Sequence, residues 1–291
     1  MKTKKPIKDV IRQRYSCRTY SKTAFKKDLK DQVEQVLADS PAGPFGSRPR
    51  FALIAATDED RDALKTLGTY GFIKDPAGFM ISAVSPSPRN LEDFGYVMER
   101  NILHATDLDL GTCWLGGSFT KSTFAEKIGA GDDETVPAVA SIGYAAPKKS
   151  MLEKAIRWGA GSKNRKPWED LFFENGFNIS ISPGDAGRWA EPMEMVRIGP
   201  SASNRQPWRI VHEPDTNRLH FYLQRSKGYK ARNKMLFGMA DLQRVDMGIA
   251  MCHFEMTCRD SGLNGNWAFD EPDIGKLPEL TEYVASWRAA L

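Results

Sequence analysis

The sequence predicts an α+β fold, with helices and strands in α/β layers, in which one unit is repeated along the chain. Short apolar runs typical of buried strands alternate with amphipathic helical patterns. A loop-rich region follows in the middle of the chain, and the same order of helices and strands then begins again. With 291 residues, 41% of them hydrophobic and 27% charged, the chain is long enough to bury a sizeable core.

Two helices are predicted at the start of the first half. Over residues 6–14, apolar side chains recur at helical spacing, at Ile7, Val10 and Ile11. The segment 27–38 also places its apolar residues on one helical face, which is formed by Leu29, Val33, Val36 and Leu37. This second helix is expected to end at the following stretch DSPAGPFGSRPR, because clusters of Pro and Gly interrupt regular structure.

Strands and helices alternate through the rest of the first half. The apolar runs FALIAA at 51–56 and FMISAVS at 79–85 are typical of buried strands, and a short helix is predicted between them at 58–66. The longest helical pattern extends from residue 91 to about residue 108, with an apolar stripe along one face. A further apolar run, VPAVASIGYA at 136–145, predicts another strand.

A loop-rich linker separates this region from a second, similar one. Residues 159–170 and 177–187 lack apolar periodicity, so we divide the chain into a first half, 1–176, and a second half, 177–291. The second half is predicted to contain, in order, a helix, two strands and a long helix, over residues 188–198, 209–213, 219–224 and 240–260.

The two halves also share sequence. Gly95–Trp114 aligns without a gap with Gly248–Trp267, and a Gly, a Met, an Asp, a Leu and a Trp coincide. The segment 40–54 aligns with 200–211 if a few residues are skipped. Chance can produce this level of identity in one short block, but both pairs keep the same order and a separation of roughly 155 residues. We therefore interpret the chain as an internal duplication.

Composition argues against several functional classes. The net charge of +4 is mild and the Lys and Arg residues are spread out, whereas a nucleic-acid-binding protein usually carries a dense basic face. The four cysteines and four histidines form no CxxC or HExxH pattern, so a metal site has little support. No apolar run is long enough to span a membrane and the N-terminus does not resemble a secretory signal. We expect a cytoplasmic protein without a membrane partner.

The stretch RYSCRTY, which follows the first predicted helix, is a candidate anion site. Arg14, Ser16 and Arg18 occupy alternating positions, so an extended backbone would direct all three side chains to the same side. Two guanidinium groups and a hydroxyl in this arrangement suit a phosphate, because arginine offers several donors in a planar fork. An exposed turn with solvated arginines would explain the pattern equally well.

Four stretches together resemble the motifs of the FMN-dependent nitroreductase family, and they span nearly the whole chain. RYSCRTY is similar to the opening Arg-x-Ser-x-Arg motif, and PSASNRQPW resembles the second motif. DLGTCWLGGSF at 109–119 is similar to a Gly-rich turn after the long central helix, and SKNRKPWEDLF at 162–172 to a basic Lys-x-Arg-x-Pro motif. The resemblance implies a nitroreductase-like fold, which in this family forms a homodimer with FMN at the subunit interface.

The motifs are divided unequally between the two halves. Arg-x-Ser-x-Arg occurs only in the first half, and PSASNRQPW is intact only in the second, since its counterpart SPAGPFGSRPRF lacks the Asn and the Gln. The third motif remains as GTCWLGG in the first half but is NGNWAFD in the second. In the family, PSASNxQPW comes from one subunit and the other motifs from its partner. We therefore expect a monomeric pseudo-dimer, similar to a fused subgroup of the family, with one FMN between its halves.

The resemblance implies a role for each matching residue. The first motif would hold the ribityl phosphate and the pyrimidine edge through Arg14, Tyr15, Ser16 and Arg18. The fourth motif would add charge at the phosphate through Lys163 and Arg165. The opposite half would contact the dimethylbenzene edge and the ribityl hydroxyls through Pro200, Ser201, Ala202 and Asn204. The backbone would approach the flavin N5 atom at Leu115, Gly116 and Gly117, although many relatives carry an acidic residue in place of Gly116.

Other residues allow more than one interpretation. Lys74 would stabilise the N1–O2 edge of a reduced flavin, or is a surface lysine in a turn. Trp114 and Trp267, at matching repeat positions, are interpreted as core residues, and Gln206 as an anchor of its own loop. No side chain is predicted to act as a general acid or base, because the chemistry would take place on the flavin.

The implied reaction is ping-pong hydride transfer. NADH or NADPH would pass hydride to N5 of FMN, and a nitroaromatic, a quinone or another flavin would then accept the electrons. Two other interpretations stay open: a carrier or sensor that binds FMN without turnover, and a scaffold that binds nothing.

Overall fold

The fold combines helices with two β-sheets, which confirms the predicted α+β class. The computed structural model describes residues 3–55, 73–116, 123–147, 164–228 and 240–290. The helix predicted at 58–66 lies outside these ranges. None of the described helices has both the length and the apolar character that are needed to cross a membrane.

Four strands form the first sheet: β1 Arg50–Ala55, β2 Gly78–Ala83, β3 Gly111–Gly116 and β4 Ala138–Gly143. They lie side by side in the order β1-β2-β4-β3, and every neighbouring pair is antiparallel. Strands β2 and β4 are central and buried along their whole length. This placement explains why both of them are continuous apolar runs in the sequence.

Five strands form the second sheet: β5 Phe172–Glu174, β6 Trp208–Glu213, β7 Arg218–Gln224, β8 Gly265–Ala268 and β9 Thr281–Ala289. Their order is β5-β6-β7-β9-β8, in which β5 is parallel to β6 and the other pairs are antiparallel. Apart from β5, the order repeats that of the first sheet, with β6, β7, β9 and β8 in the places of β1, β2, β4 and β3. The repeated topology shows that the chain is internally duplicated.

The edge strand β5 connects the two halves. It precedes the boundary that the sequence predicts after residue 176, yet Phe172 pairs with Ile210 of the second sheet. The first half, as defined from the sequence, therefore ends in a segment that the second sheet incorporates. Main-chain hydrogen bonds thus join the halves in addition to the linker.

Six helices lie among the described residues: α1 Ile7–Gln13, α2 Lys27–Ala38, α3 Asn90–Asp107, α4 Thr123–Ile128, α5 Ala190–Arg197 and α6 Leu242–Asp260. All except α4 were predicted, and their ends agree to within two residues. Strand β3 was interpreted as a Gly-rich turn, which is wrong: its backbone pairs with β4 along its full length. Strands β5, β8 and β9 have no clear apolar periodicity and were not predicted.

The two long helices α3 and α6 occupy equivalent places in the halves and pack against each other. A Cβ atom on Gly95 would lie 2.2 Å from the carbonyl oxygen of Val245, and one on Gly248 would lie 2.0 Å from that of Glu92. No side chain larger than hydrogen fits at either position. The alignment that pairs Gly95 with Gly248 also pairs Glu92 with Val245. The contact is therefore reciprocal, as a local two-fold axis requires.

Side chains from both helices enter the two main hydrophobic clusters. One cluster combines residues of α3 and α6 that face the first sheet, including Phe94, Met98, Ile102, Val245 and Ile249. The other combines residues that face the second sheet, including Val97, Leu103, Met247, Met251 and Phe254. Each helix thus contributes to the core of both halves, and neither half buries its apolar surface alone.

Replacement of Gly95 by alanine should separate the two helices. The added methyl group would overlap the carbonyl oxygen of Val245, so we expect a loss of about 1–3 kcal/mol in the free energy of unfolding. Urea denaturation followed by circular dichroism measures the loss. Gly131→Ala is the control, since the nearest atom to its added methyl group is 3.8 Å away. Equal stability of the two variants would contradict the proposed close contact.

Candidate functional site

The first motif continues the first sheet beyond strand β3. Ser16 forms a parallel bridge with Thr112, and the N–H of Cys17 donates to the carbonyl oxygen of Thr112 at 2.8 Å. The backbone here is extended, so alternate side chains point to opposite sides. Cys17 is buried on one side, while Ser16 and Arg18 face a cleft on the other. The extended conformation predicted for this stretch is confirmed.

The second motif forms a compact loop before strand β6, and Gln206 holds it together. The Oγ atom of Ser201 accepts from the N–H of Gln206 at 2.9 Å, and the side-chain amide of Gln206 donates to the carbonyl oxygen of Asn204 at 3.1 Å. Its Oε1 atom accepts from the N–H of Lys166 at 2.8 Å. Ser203, Asn204 and Gln206 all have positive φ angles. Hydrogen bonds therefore stabilise an unusual backbone, and the predicted anchoring role of Gln206 is confirmed.

A cleft of about 260 Å³ lies between the two motifs. The first half lines it with Ser16, Arg18, Trp114, Gly116 and Ala138. The second half lines it with the loop residues 200–203 and with four residues from the first turns of α6, namely Leu242, Val245, Asp246 and Ile249. The structure thus brings Ser16 and Arg18 together with Pro200, Ser201 and Ala202, although roughly 180 residues separate them in the sequence.

A buried ionic network supports the wall of the cleft. Glu99 of α3 is completely buried, and its carboxylate accepts from the indole N–H of Trp114 at 2.6 Å. The Nε atom of Arg14 lies 3.6 Å from the same carboxylate. His253 places Nε2 2.9 Å from Glu99 and Nδ1 2.8 Å from the carbonyl oxygen of Met195. Both partners of the ring are hydrogen-bond acceptors, so each ring nitrogen is placed to donate.

The charges around Glu99 outweigh the effect of its burial. Burial alone would raise the pKa of Glu99, but the hydrogen bond from His253 and the charge of Arg14 lower it, and the resulting pKa lies below its ordinary value. Glu99 is therefore a buried carboxylate that fixes Arg14, His253 and Trp114 around itself. Arg14 itself contacts this network and does not line the cleft.

Arg165 of the fourth motif lies against the second motif. Its guanidinium donates to Oδ1 of Asn204 at 3.2 Å and to the carbonyl oxygen of Ile198 at 2.9 Å. Burial lowers the pKa of Arg165 to about 10, with repulsion from Arg14 and then Arg197 as further causes. The positive charges of the first and fourth motifs are therefore near enough to influence each other, although Arg14 is paired with Glu99.

The remaining predicted site residues lie apart from the cleft or outside the described residues. Leu115 is buried in the core of the first half, and Tyr15 is half-buried but does not line the cleft. Lys74 has an exposed side chain, while its backbone N–H donates to the carbonyl oxygen of Arg18 at 2.8 Å. Gly117 and Lys163 lie outside the described residues, so their predicted roles stay predictions.

Sequence reasoning missed the contribution of α6 to the cleft. The aligned block between the halves begins at Gly248, two residues after Asp246, so the first turns of the helix were not considered. Extending the alignment would have paired Asp246 with Asp93, which is a further identity. The interpretation of Trp114 as a core residue is also incomplete, because its ring is only half-buried and lines the cleft.

The corresponding position in the other half is built differently. Phe269 aligns with Gly116, and its ring stacks on Phe45 with the centroids 4.5 Å apart. Arg89, which aligns with Leu242, places its guanidinium 5.7 Å from the centre of the Phe45 ring. The ring of Phe269 therefore stands where the first half has only the backbone of Gly116, and it lines a separate cavity together with Phe45 and Arg89. The two positions related by the local two-fold axis are not equivalent.

Glu99→Gln should destabilise the protein, because it leaves the buried Arg14 without a counter-charge. We expect the free energy of unfolding at pH 7 to fall by about 3–5 kcal/mol, measured by urea denaturation. The folded-state pKa of Glu99 is lowered, so the advantage of the wild type is complete above the ordinary glutamate pKa and is lost as the pH falls through the lowered value.

The control for this variant is Asp31→Asn, which removes an exposed ion pair with Lys27 on helix α2 and should change stability little. If the difference in the free energy of unfolding between the wild type and Glu99→Gln did not change with pH, residue 99 would not be a carboxylate in the folded protein.

Comparisons with known proteins agree with this architecture. The model of the family described as "Putative TM nitroreductase" matches residues 6–258 of the chain. The structure is similar, over 99% of this chain and 95% of the other, to that of a "putative nitroreductase" from Thermotoga maritima MSB8, with 17% sequence identity and a TM-score of 0.61. This similarity shows a common fold that includes both halves. No curated protein sequence matches the chain significantly.

Two further solved structures match about half of the chain. One is a "putative nitroreductase" in complex with FMN from Desulfovibrio desulfuricans, with 20% identity and a TM-score of 0.40 over 52% of this chain and 96% of the other. The second is a nitroreductase with bound FMN from Bacteroides fragilis NCTC 9343, with 16% identity and a TM-score of 0.41 over 50% of this chain and 92% of the other. Because the family model itself covers most of the sequence, the chain belongs to this nitroreductase family.

Proposed function

We propose that this protein is an FMN-dependent NAD(P)H oxidoreductase with one FMN bound between its two halves. The observation that carries the proposal is the cleft itself. It combines Ser16 and Arg18 of the first half with Pro200, Ser201 and Ala202 of the second. These residues belong to the two motifs that resemble flavin-binding motifs of nitroreductases. Because a single chain carries one copy of each motif, it would act as a monomer, and we expect it in the cytoplasm.

Two features of the described residues fit a flavin mononucleotide. Arg18 lines the cleft, and its guanidinium group suits a phosphate or another polar edge of the cofactor. Gly116 of strand β3 and Leu242 of α6 line the cleft side by side, since a Cβ atom on Gly116 would lie 2.6 Å from the Leu242 side chain. A flat ring bound in the cleft would pack against Leu242 and pass close to the glycine backbone.

The protein would bind and orient the cofactor, and the flavin would carry out the reaction. When bound, FMN would supply the redox chemistry for hydride transfer from NADH or NADPH and for reduction of a nitroaromatic, quinone or flavin acceptor. Arg18 would hold the polar edge or the anionic end of the cofactor. Arg14 would support the cleft wall through Glu99, and Arg165 would support the loop through Asn204. The loop residues Ser201 and Ala202 would close the cleft from the opposite half.

The first test is an absorption spectrum of the protein after reconstitution with FMN and removal of free cofactor. We expect flavin bands that correspond to one FMN per chain and that bleach when NADH or NADPH is added without oxygen. A protein that takes up no flavin would contradict the proposal, and two flavins per chain would contradict the single site. Bound flavin that neither nicotinamide reduces would favour the carrier or sensor function instead.

Arg18→Ala should weaken the binding of FMN by about 10- to 100-fold, because it removes a charged hydrogen-bond donor from the cleft. Quenching of flavin fluorescence during titration gives the dissociation constant. Arg12→Ala is the matched control: Arg12 lies at the end of α1 near the same motif, but its half-exposed side chain pairs with Asp9 and Glu191. Equal affinity of both variants would show that Arg18 does not contact the cofactor.

A further inference from the structure

One buried carboxyl group in the cleft has a hydrogen-bond partner for only one of its two oxygens. Asp246, on the second turn of α6, is 2% exposed and lines the cleft. Its Oδ1 atom accepts from the N–H of Ala202 at 2.9 Å and so holds the loop of the second motif. Its Oδ2 atom is also buried, but no hydrogen-bond partner for it is found among the described residues. A buried polar atom without a partner raises the free energy of the folded state, so a ligand in the cleft is the natural partner.

The aligned residue in the other half shows what anchoring alone requires. Asp93, in the same position of α3, accepts from the N–H of Phe45 at 2.8 Å with Oδ1 and from the N–H of Ser47 at 2.7 Å with Oδ2. Both of its oxygens therefore hold the loop that corresponds to the second motif. Hydrogen bonds to the loop thus occupy both carboxyl oxygens of Asp93 but only one carboxyl oxygen of Asp246.

The protonation state of Asp246 follows from its surroundings. Burial raises the pKa of this carboxyl well above its ordinary value, and the negative charge of Asp241 raises it further, while the hydrogen bond from Ala202 lowers it. Burial therefore favours the neutral form of this carboxyl group more strongly than in an exposed aspartate. Since Oδ1 accepts from Ala202, a proton on this group would occupy Oδ2.

We propose that Asp246 is a flavin-binding residue whose Oδ2–H group donates a hydrogen bond to an acceptor atom of the bound FMN, while Oδ1 keeps the Ala202 loop in place. The inference rests on the proposed function, since it concerns the same cleft. Acceptor atoms occur both on the isoalloxazine ring and on the ribityl chain. The same residue thus couples the position of the second-half loop to the presence of the cofactor.

The test compares the affinity of three flavins for three variants and the wild type. Asp246→Leu removes both hydrogen bonds, and we expect FMN to bind at least about tenfold more weakly. Asp246→Asn keeps an acceptor for Ala202 and offers an N–H donor in place of the hydroxyl, so its affinity should stay within about threefold of the wild type. Asp93→Asn is the matched control, which should lower the melting temperature without weakening FMN binding.

Riboflavin and lumiflavin identify the acceptor. Lumiflavin lacks the ribityl chain, so a loss of affinity in Asp246→Leu that persists with lumiflavin places the acceptor on the ring. A loss seen with FMN and riboflavin but not with lumiflavin places it on the ribityl chain. Both outcomes support the inference. Affinities of Asp246→Leu within twofold of the wild type for all three flavins would overturn it and leave Asp246 as a loop anchor only.

An infrared difference spectrum gives a readout that does not depend on the folding of the leucine variant. Addition of FMN to the wild type should shift the C=O stretching band of a protonated carboxyl, and this band should be absent in Asp246→Asn. An unshifted band would overturn the inference, as would an asparagine variant that binds FMN more than tenfold more weakly. Failure of the wild type itself to bind any flavin is a different result, which would contradict the proposed function.

Discussion

The close contact between helices α3 and α6 is the constraint on which the rest of the structure depends. Gly95 and Gly248 let the two backbones approach to a distance that no side chain would allow. The contact fixes the angle and register of the halves, and with them the position of every element that both cores share. The first turns of α6 are thereby held against strand β3, where Leu242 faces Gly116 across the cleft. A site that takes residues from both halves depends on this fixed contact between the helices.

The duplicated fold has two corresponding places for a cleft, but different residues line them. In one, Gly116 lies against Leu242, and the segment that carries Ser16 and Arg18 lies alongside. In the other, the aligned Phe269 stacks on Phe45, and the guanidinium of Arg89 lies over the Phe45 ring. Both places have a cavity, but one is lined by a glycine and the other by aromatic rings. Topological symmetry therefore coexists with chemical asymmetry.

Two buried acidic side chains connect this scaffold to the cleft. Glu99 belongs to the helix contact, yet it also fixes Arg14 of the first motif and Trp114 of the cleft wall. Asp246 belongs to the partner helix and holds the second motif through Ala202. Each helix thus positions the motif segment that lies next to it through one acidic side chain. Acidic groups buried at such places require hydrogen-bond partners, and these partners fix the geometry of the site.

The sequence by itself determined the α+β class, the positions of most helices and the four motif segments, because apolar periodicity and short motifs are local properties. It also indicated the duplication, which the repeated strand order confirms. Strands β3 and β9 were not recognised, since their conformation depends on pairing with neighbours remote in sequence. Only the tertiary structure decided that Arg14 is held by Glu99 and that Asp246 enters the cleft. Those contacts arise from the packing of α3 against α6, and no local pattern records which face of a helix will meet a segment more than a hundred residues away.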